Sequence, residues 1–151
     1  MPDMTFKEAV ETTPDVRTCY QTGLRALGGD SEKINLGDTA RCEGSVDIDG
    51  CTLTRYPQSN RWDYCFSYKG EAFFVEVHTA NTAEVSTVLR KLQWLKDWLN
   101  HEAPELARMK AQSQNPYYWI QSSKFNIPKT SKQYRQVVQE GIKPISVLVL
   151  R

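Results

Sequence analysis

The sharpest alternation of apolar and polar positions lies between residues 61 and 80, RWDYCFSYKGEAFFVEVHTA. Aromatic and β-branched residues recur at every second position on either side of Lys69-Gly70, which predicts two strands and a tight turn. Pairing Tyr68 with Glu71 sets a register in which Asp63 falls opposite Glu76. One face then carries Arg61, Asp63, Cys65 and Ser67 with Phe74, Glu76, His78 and Ala80. The other carries Trp62, Tyr64, Phe66, Tyr68, Phe73, Val75 and Val77, an apolar surface that reads as core. The first face reads as a site.

Beyond Ala80 the period changes. Val85, Val88, Leu89, Leu92, Leu95 and Leu99 recur at helical spacing and predict a helix over 81–100, capped by Asn81 or Thr82. Trp94 and Trp98 widen its buried stripe. Upstream, Thr5 and Glu8 are spaced as a capping box for a short helix over 4–11. A second helix is expected from Thr13 and Pro14 to Gly28-Gly29, with Val16, Cys19, Tyr20, Leu24 and Leu27 as its stripe. Residues 30–43 are polar and read as loop. In 44–54, Val46 and Ile48 alternate with Asp47 and Asp49, and Asp49-Gly50 signals a hairpin turn. Residues 56–60 read as a turn.

Downstream, Pro104 opens a helix to about Ala111, and PYYWIQSS (116–123) reads as a strand. FNIPK (125–129) makes a turn. Thr130 or Ser131 opens a helix through Tyr134, Val137 and Val138 that Gly141 closes. ISVLVL (145–150) suggests a strand buried on both faces. This order of elements gives an α/β (α+β) fold: a mixed central sheet with an antiparallel hairpin core, flanked by helices on both faces.

At 151 residues the chain reads as one domain over 1–151. No apolar run reaches the length of a membrane span, and the start has no basic-then-apolar signal, so no membrane and a cytoplasmic setting are expected. Cys19, Cys42, Cys51 and Cys65 lack paired spacing and only two histidines exist, which argues against structural zinc. Buried or half-buried free thiols are expected instead. The net charge of +1 divides into −5 over residues 1–50, +1 over 51–115 and +5 over 116–151. The basic quarter (Lys124, Lys129, Lys132, Arg135, Lys143, Arg151) could attract a polyanion, with nucleic acid the expected partner. A solvated basic face reads the same way.

A helix, then antiparallel strands carrying Asp63 and Glu76-Val77-His78, then a helix resembles the PD-(D/E)XK restriction-endonuclease-like superfamily. By element order the resemblance covers roughly residues 14–123. It implies a restriction-endonuclease-like fold in which Asp63 and Glu76 hold a divalent metal, usually magnesium. It also implies a lysine two residues after the glutamate that activates the attacking water. Here that position holds His78, and no proline before Asp63 matches the family's. His78 could act as general base or hold a water. Alternatively Lys91, bordering the apolar stripe of the following helix, supplies the lysine, as in some superfamily members. In a third case the chemistry is lost and the fold survives as a binding scaffold.

Two carboxylates offer hard oxygen ligands that suit Mg²⁺, which would polarise a scissile phosphate. Asp47 or Asp49 could add a ligand, though a turn-forming role is favoured for both. The competing reading is an ion-pair network in which Arg61, opposite His78 and diagonal to Glu76, neutralises the carboxylates. The expected function is therefore metal-dependent hydrolysis of phosphodiester bonds in nucleic acid. The alternative is a non-catalytic module of the same fold that binds protein or nucleic acid.

Overall fold

The computed structural model describes residues 4–122 and 127–151. Ser123 at the end of the strand expected over 116–123, the basic Lys124, and Phe125 and Asn126 of the expected turn lie outside these residues. In chain order the elements are α1 (Phe6–Glu11), β1 (Gln21–Thr22), β2 (Ile34–Leu36), β3 (Gly44–Asp47) and α2 (Ile48–Thr52). There follow β4 (Tyr64–Tyr68), β5 (Glu71–His78), α3 (Val85–His101), α4 (Pro104–Met109), β6 (Tyr117–Gln121), α5 (Lys132–Gln139), β7 (Ile142–Ile145) and β8 (Leu148–Leu150). Short 3₁₀ helices occupy Arg25–Lys33, Thr39–Arg41 and Thr82–Glu84.

Six strands form one mixed sheet in the order β1-β3-β4-β5-β6-β7. Pairing is antiparallel from β1 through β5 and parallel from β5 to β7. The β4–β5 hairpin has the expected register, Tyr68 with Glu71 and Tyr64 with Val75. Its turn works because Lys69 (φ 51°) and Gly70 (φ 81°) both adopt the left-handed conformation, the backbone twist a two-residue hairpin requires.

Both faces of this hairpin are buried, where the sequence predicted one apolar and one polar. Cys65, Ala72 and Phe74 share a core with Phe6 of α1, Val88, Leu92 and Leu95 of α3, Leu106 of α4 and Val137 of α5. Phe66, Phe73, Val75 and Tyr118 share the opposite core with Leu27, Ile34, Leu148 and Leu150. That second face is covered by the 3₁₀ helix Arg25–Lys33 and a small parallel pair, β2 with β8. Trp62 departs from its expected place beside Tyr64 and Phe66. The ladder ends at Tyr64, and Trp62 turns into the helix-side core, its ring 6.5 Å from that of Tyr117.

Helices α1, α3, α4 and α5 form close to where the pattern places them, but α3 starts only at Val85, after the 3₁₀ turn Thr82–Glu84, and Asn81 makes no side-chain capping bond. Thr5 and Glu8 cap α1 reciprocally, Ser131 caps α5, and α3 buries Val85, Val88, Leu92, Leu95, Trp98 and Leu99. The helix expected from Thr13 to Gly28 does not form. Two tight turns, Val16 N–H to Thr13 O and Cys19 N–H to Val16 O, lead instead to β1 and a turn at Gly23 (φ 54°). Its supposed stripe is divided: Val16 enters the helix-side core and Leu27 the opposite one, so no single helix could serve both.

The hairpin expected at Asp49-Gly50 is replaced by α2. Asp47 Oδ1 accepts the Gly50 N–H at 2.9 Å, which starts a helical turn rather than a reversal into a strand. The C-terminal run also divides, at Ser146-Val147, into β7 and β8. In β8 the side chains Leu148 and Leu150 are buried while Val149 is 56% exposed, a strand with one buried face rather than two. Cys42 and Cys65 are free and buried, as expected. Cys19 and Cys51 are not free: they form a disulfide across a 32-residue separation, with Cα atoms 6.5 Å apart. Among the described residues no helix is long and apolar enough to cross a membrane.

Candidate functional site

Glu76 stands on β5 beside Trp119 of β6, facing α3, and has no exposed surface. Next to it the β4–β5 ladder has just ended, and side chains take over the work of the backbone. The Asp63 N–H donates to Glu76 Oε1 at 3.0 Å, and the Val77 N–H donates to Asp63 Oδ2 at 3.0 Å. Asp63 thus precedes β4 by one residue and is cross-linked to β5 opposite Glu76. Its own carbonyl accepts the Asp49 N–H at 3.2 Å, so α2 braces it from behind.

Lys91, in the second turn of α3, completes the cluster. Its Nζ donates to Glu76 Oε2 and lies 3.8 Å from Asp63 Oδ1. The side chains of Asp63 and Lys91 retain 19% and 16% exposure, so the cluster opens to solvent on their side. Arg61 is not the neutralising cation. Its Nε donates to Asp49 Oδ1 at 2.9 Å, and its guanidinium also bonds the Tyr56 carbonyl at 2.7 Å. The loop between α2 and β4 holds it away from Glu76. Asp47 caps α2 and Asp49 holds Arg61, so neither joins the carboxylates.

His78 reaches the edge of the cluster, with Nδ1 3.9 Å from Glu76 Oε2 and Nε2 3.0 Å from Glu84 Oε2. Glu84 went unrecognised in the sequence. It lies in the 3₁₀ turn before α3, and only the six-residue spacing that folds the connection back over His78 hints at the pairing.

The electrostatics follow from a charge count. Two carboxylates share one ammonium in a mostly dry place. Burial, then the charge of Asp63, push the Glu76 carboxyl up to about 8 against the pull of Lys91. Burial also raises Asp63, with Lys91 opposing. Burial alone would lower Lys91, but Glu76 and Asp63 outweigh it and raise it. The partners thus point different ways, Glu76 toward neutral and Lys91 toward charged. Both hold at once because a cluster of two acids and one lysine needs one further positive charge, and the most buried acid accepts it as a proton.

A divalent cation could supply that charge instead. Among the described residues no three His, Cys, Asp or Glu side chains gather as a metal cage. Mg²⁺, however, commonly takes one or two carboxylates and completes its shell with water and phosphate oxygens. Asp63 Oδ1 and Glu76 Oε2 are that smaller donor set by type, but both face the Lys91 ammonium, which an ion taking both oxygens would have to displace.

Among the described residues, the basic side chains of the C-terminal quarter do not gather with this cluster. Lys132 and Arg135 are exposed on α5, Lys129 precedes it, Lys143 is exposed on β7, and Arg151 follows β8, which covers the opposite face of the sheet. Compared with known families, curated proteins and solved structures, the chain matches no family model, no curated protein and no solved structure.

Proposed function

We propose that the protein is a metal-dependent nuclease or a close nuclease-like relative, acting on phosphodiester bonds through Asp63, Glu76 and Lys91. The observation that carries this reading is Lys91. From a separate helix, 15 residues beyond Glu76, it reaches both carboxylates at the point where the hairpin ladder ends. The strand order in which an antiparallel hairpin is followed by α3 and a parallel β6 supports a restriction-endonuclease-like fold.

In this reading Asp63 and Glu76 would hold Mg²⁺, which when bound polarises a phosphoryl oxygen and acidifies a coordinated water. Lys91 would orient an attacking water and offset negative charge gathering on the phosphate. His78, its Nε2 held by Glu84, presents Nδ1 to the carboxylate side and can carry a proton away. Cys65, Phe74 and Trp119 keep solvent from beneath Glu76. Lys129, Lys132, Arg135 and Lys143, away from the cluster, would attract nucleic acid by long-range charge rather than grip it at the site. The cytoplasmic setting expected from the sequence fits poorly with the Cys19–Cys51 bond, since disulfides persist in oxidising compartments, so the proposal concerns the chemistry alone.

One observation favours the second reading, a binding module with a structural ion-pair network. Both oxygens of Glu76 already have partners within the protein. Incubation with plasmid DNA, single-stranded DNA and RNA in Mg²⁺ or Mn²⁺ separates the two. The nuclease reading expects cleavage that EDTA abolishes and that Glu76→Gln and Lys91→Ala each reduce about 100-fold or more. Binding without cleavage of any of the three would leave the module.

A further inference from the structure

The parallel half of the sheet continues the candidate site sideways. His78 on β5 pairs with Gln121 on β6, as Glu76 pairs with Trp119, so all four lie on the face beneath α3. Ile120 pairs with Ile145, which brings Ser146 beside Gln121, and Gln121 Nε2 donates to Ser146 Oγ at 2.7 Å. A polar row, His78–Gln121–Ser146, therefore crosses the carboxyl ends of β5, β6 and β7, stepping about 4.8 Å per strand. In open α/β sheets ligands bind outside the carboxyl ends of parallel strands. The row beneath it is Glu76, Trp119 and Pro144, apolar except for the acid itself.

Gln121 is unusual within this row. Its amide is fixed at one end by Ser146, while Oε1 is buried and has no hydrogen-bond partner among the described residues. Asn81 Oδ1, three residues past the end of β5, is buried and unpartnered in the same way. A buried acceptor without a donor is costly to maintain, and a ligand donor would satisfy it. A phosphate offers none, because its oxygens only accept. The missing group is an O–H or N–H on whatever lies next to the phosphate.

We propose that His78–Gln121–Ser146 is the subsite for the nucleotide flanking the scissile phosphate, with Gln121 Oε1 accepting from a sugar hydroxyl or a base amine. This rests on the nucleic-acid reading of Asp63, Glu76 and Lys91 and adds a basis for discrimination. The row selects nucleotides that bring a donor and disfavours those that leave Oε1 unpaired.

The test is fluorescence anisotropy in EDTA, where the proposed hydrolysis is idle, with labelled octamers of uridine, deoxyuridine and deoxycytidine. Uridine and deoxyuridine differ only in the sugar hydroxyl, whereas deoxycytidine presents an exocyclic amine where deoxyuridine presents a carbonyl on the same ring. One preference, uridine over deoxyuridine or deoxycytidine over deoxyuridine, should appear at about tenfold, the worth of one buried hydrogen bond. Gln121→Met should bring it close to one, and Gln121→Glu, which keeps an acceptor of the same shape, should retain it. Should Gln121→Met prove unfolded by circular dichroism, Ser146→Ala takes its place, because it frees the amide to turn over; Ser146 is exposed. Equal affinities in the wild type, a preference that survives these variants, or no binding of any octamer would overturn the subsite. Separately, a wild type stabilised by Mg²⁺ but without preference loses the subsite and keeps the nuclease reading. A Gln121-dependent preference without any Mg²⁺ response keeps the subsite and loses catalysis.

Discussion

Glu76 is buried on a face of the sheet that is otherwise dry, and its raised pKa makes a stability claim with a definite sign. The folded value of about 8 stands above the 4.5 of the free side chain, so folding favours the protonated form. That contribution is complete below pH 4.5 and is lost as pH rises through 8. Wild-type stability should fall between pH 5 and 9 by on the order of 3 kcal/mol, and Glu76→Gln should flatten the profile. Urea denaturation across this range measures it. Lys91→Met strips both carboxylates of their cation, and breaking such a buried pair is costly. It should destabilise the protein by about 3 kcal/mol at pH 8 and by less at pH 6, where Glu76 takes up a proton. Equal losses at both pH values would mean that Lys91 matters through its packing. At this scale the sequence was informative where geometry is local. Asp63 opposite Glu76 follows from the hairpin register, and Lys91 from its place beside the apolar stripe of α3. Arg61 was misplaced because its partners, Asp49 and the Tyr56 carbonyl, depend on the path of a loop that no periodicity describes.

Element by element, legibility tracks whether a segment answers to one core. The buried residues of α3 all enter one core, and the helix forms close to where the pattern puts it. Residues 13–28 carry an equally regular stripe, yet Val16 and Leu27 belong to cores on opposite faces of the sheet, and tertiary demand overrides the pattern. The Cys19–Cys51 bond is part of the same story, tying that irregular segment to α2. Because Asp49 of α2 hydrogen-bonds the Asp63 carbonyl, the bond braces the candidate site through α2. Closing a loop of this length should contribute about 3.5 kcal/mol by restricting the unfolded chain. Cys19→Ser with Cys51→Ser should lower stability by roughly that amount, and thiol titration of the unreduced, denatured wild type should find only Cys42 and Cys65 reactive. Reaction of all four would show the bond to be absent.

For the whole molecule, the sheet holds two separate cores apart, and the candidate site lies where one of them reaches solvent. Apolar side chains enclose Glu76 below, α3 lowers Lys91 onto it from above, and the end of the β4–β5 ladder leaves Asp63 at the opening. The central claim is that this cluster lacks one positive charge and can take it from a divalent ion. Thermal melts at pH 8 of the wild type and Glu76→Gln, each with and without 10 mM Mg²⁺ (a concentration about tenfold above a millimolar Kd), test it most directly. Binding of that strength adds about 1.4 kcal/mol, a rise of about 3–5 °C in the wild type, while the variant should show no rise. Without metal the variant should melt at or above the wild type, because its neutral amide needs no compensating proton. A wild type indifferent to Mg²⁺, together with a variant that melts lower, would contradict the account and leave Lys91 as the only cation the carboxylates were built to hold.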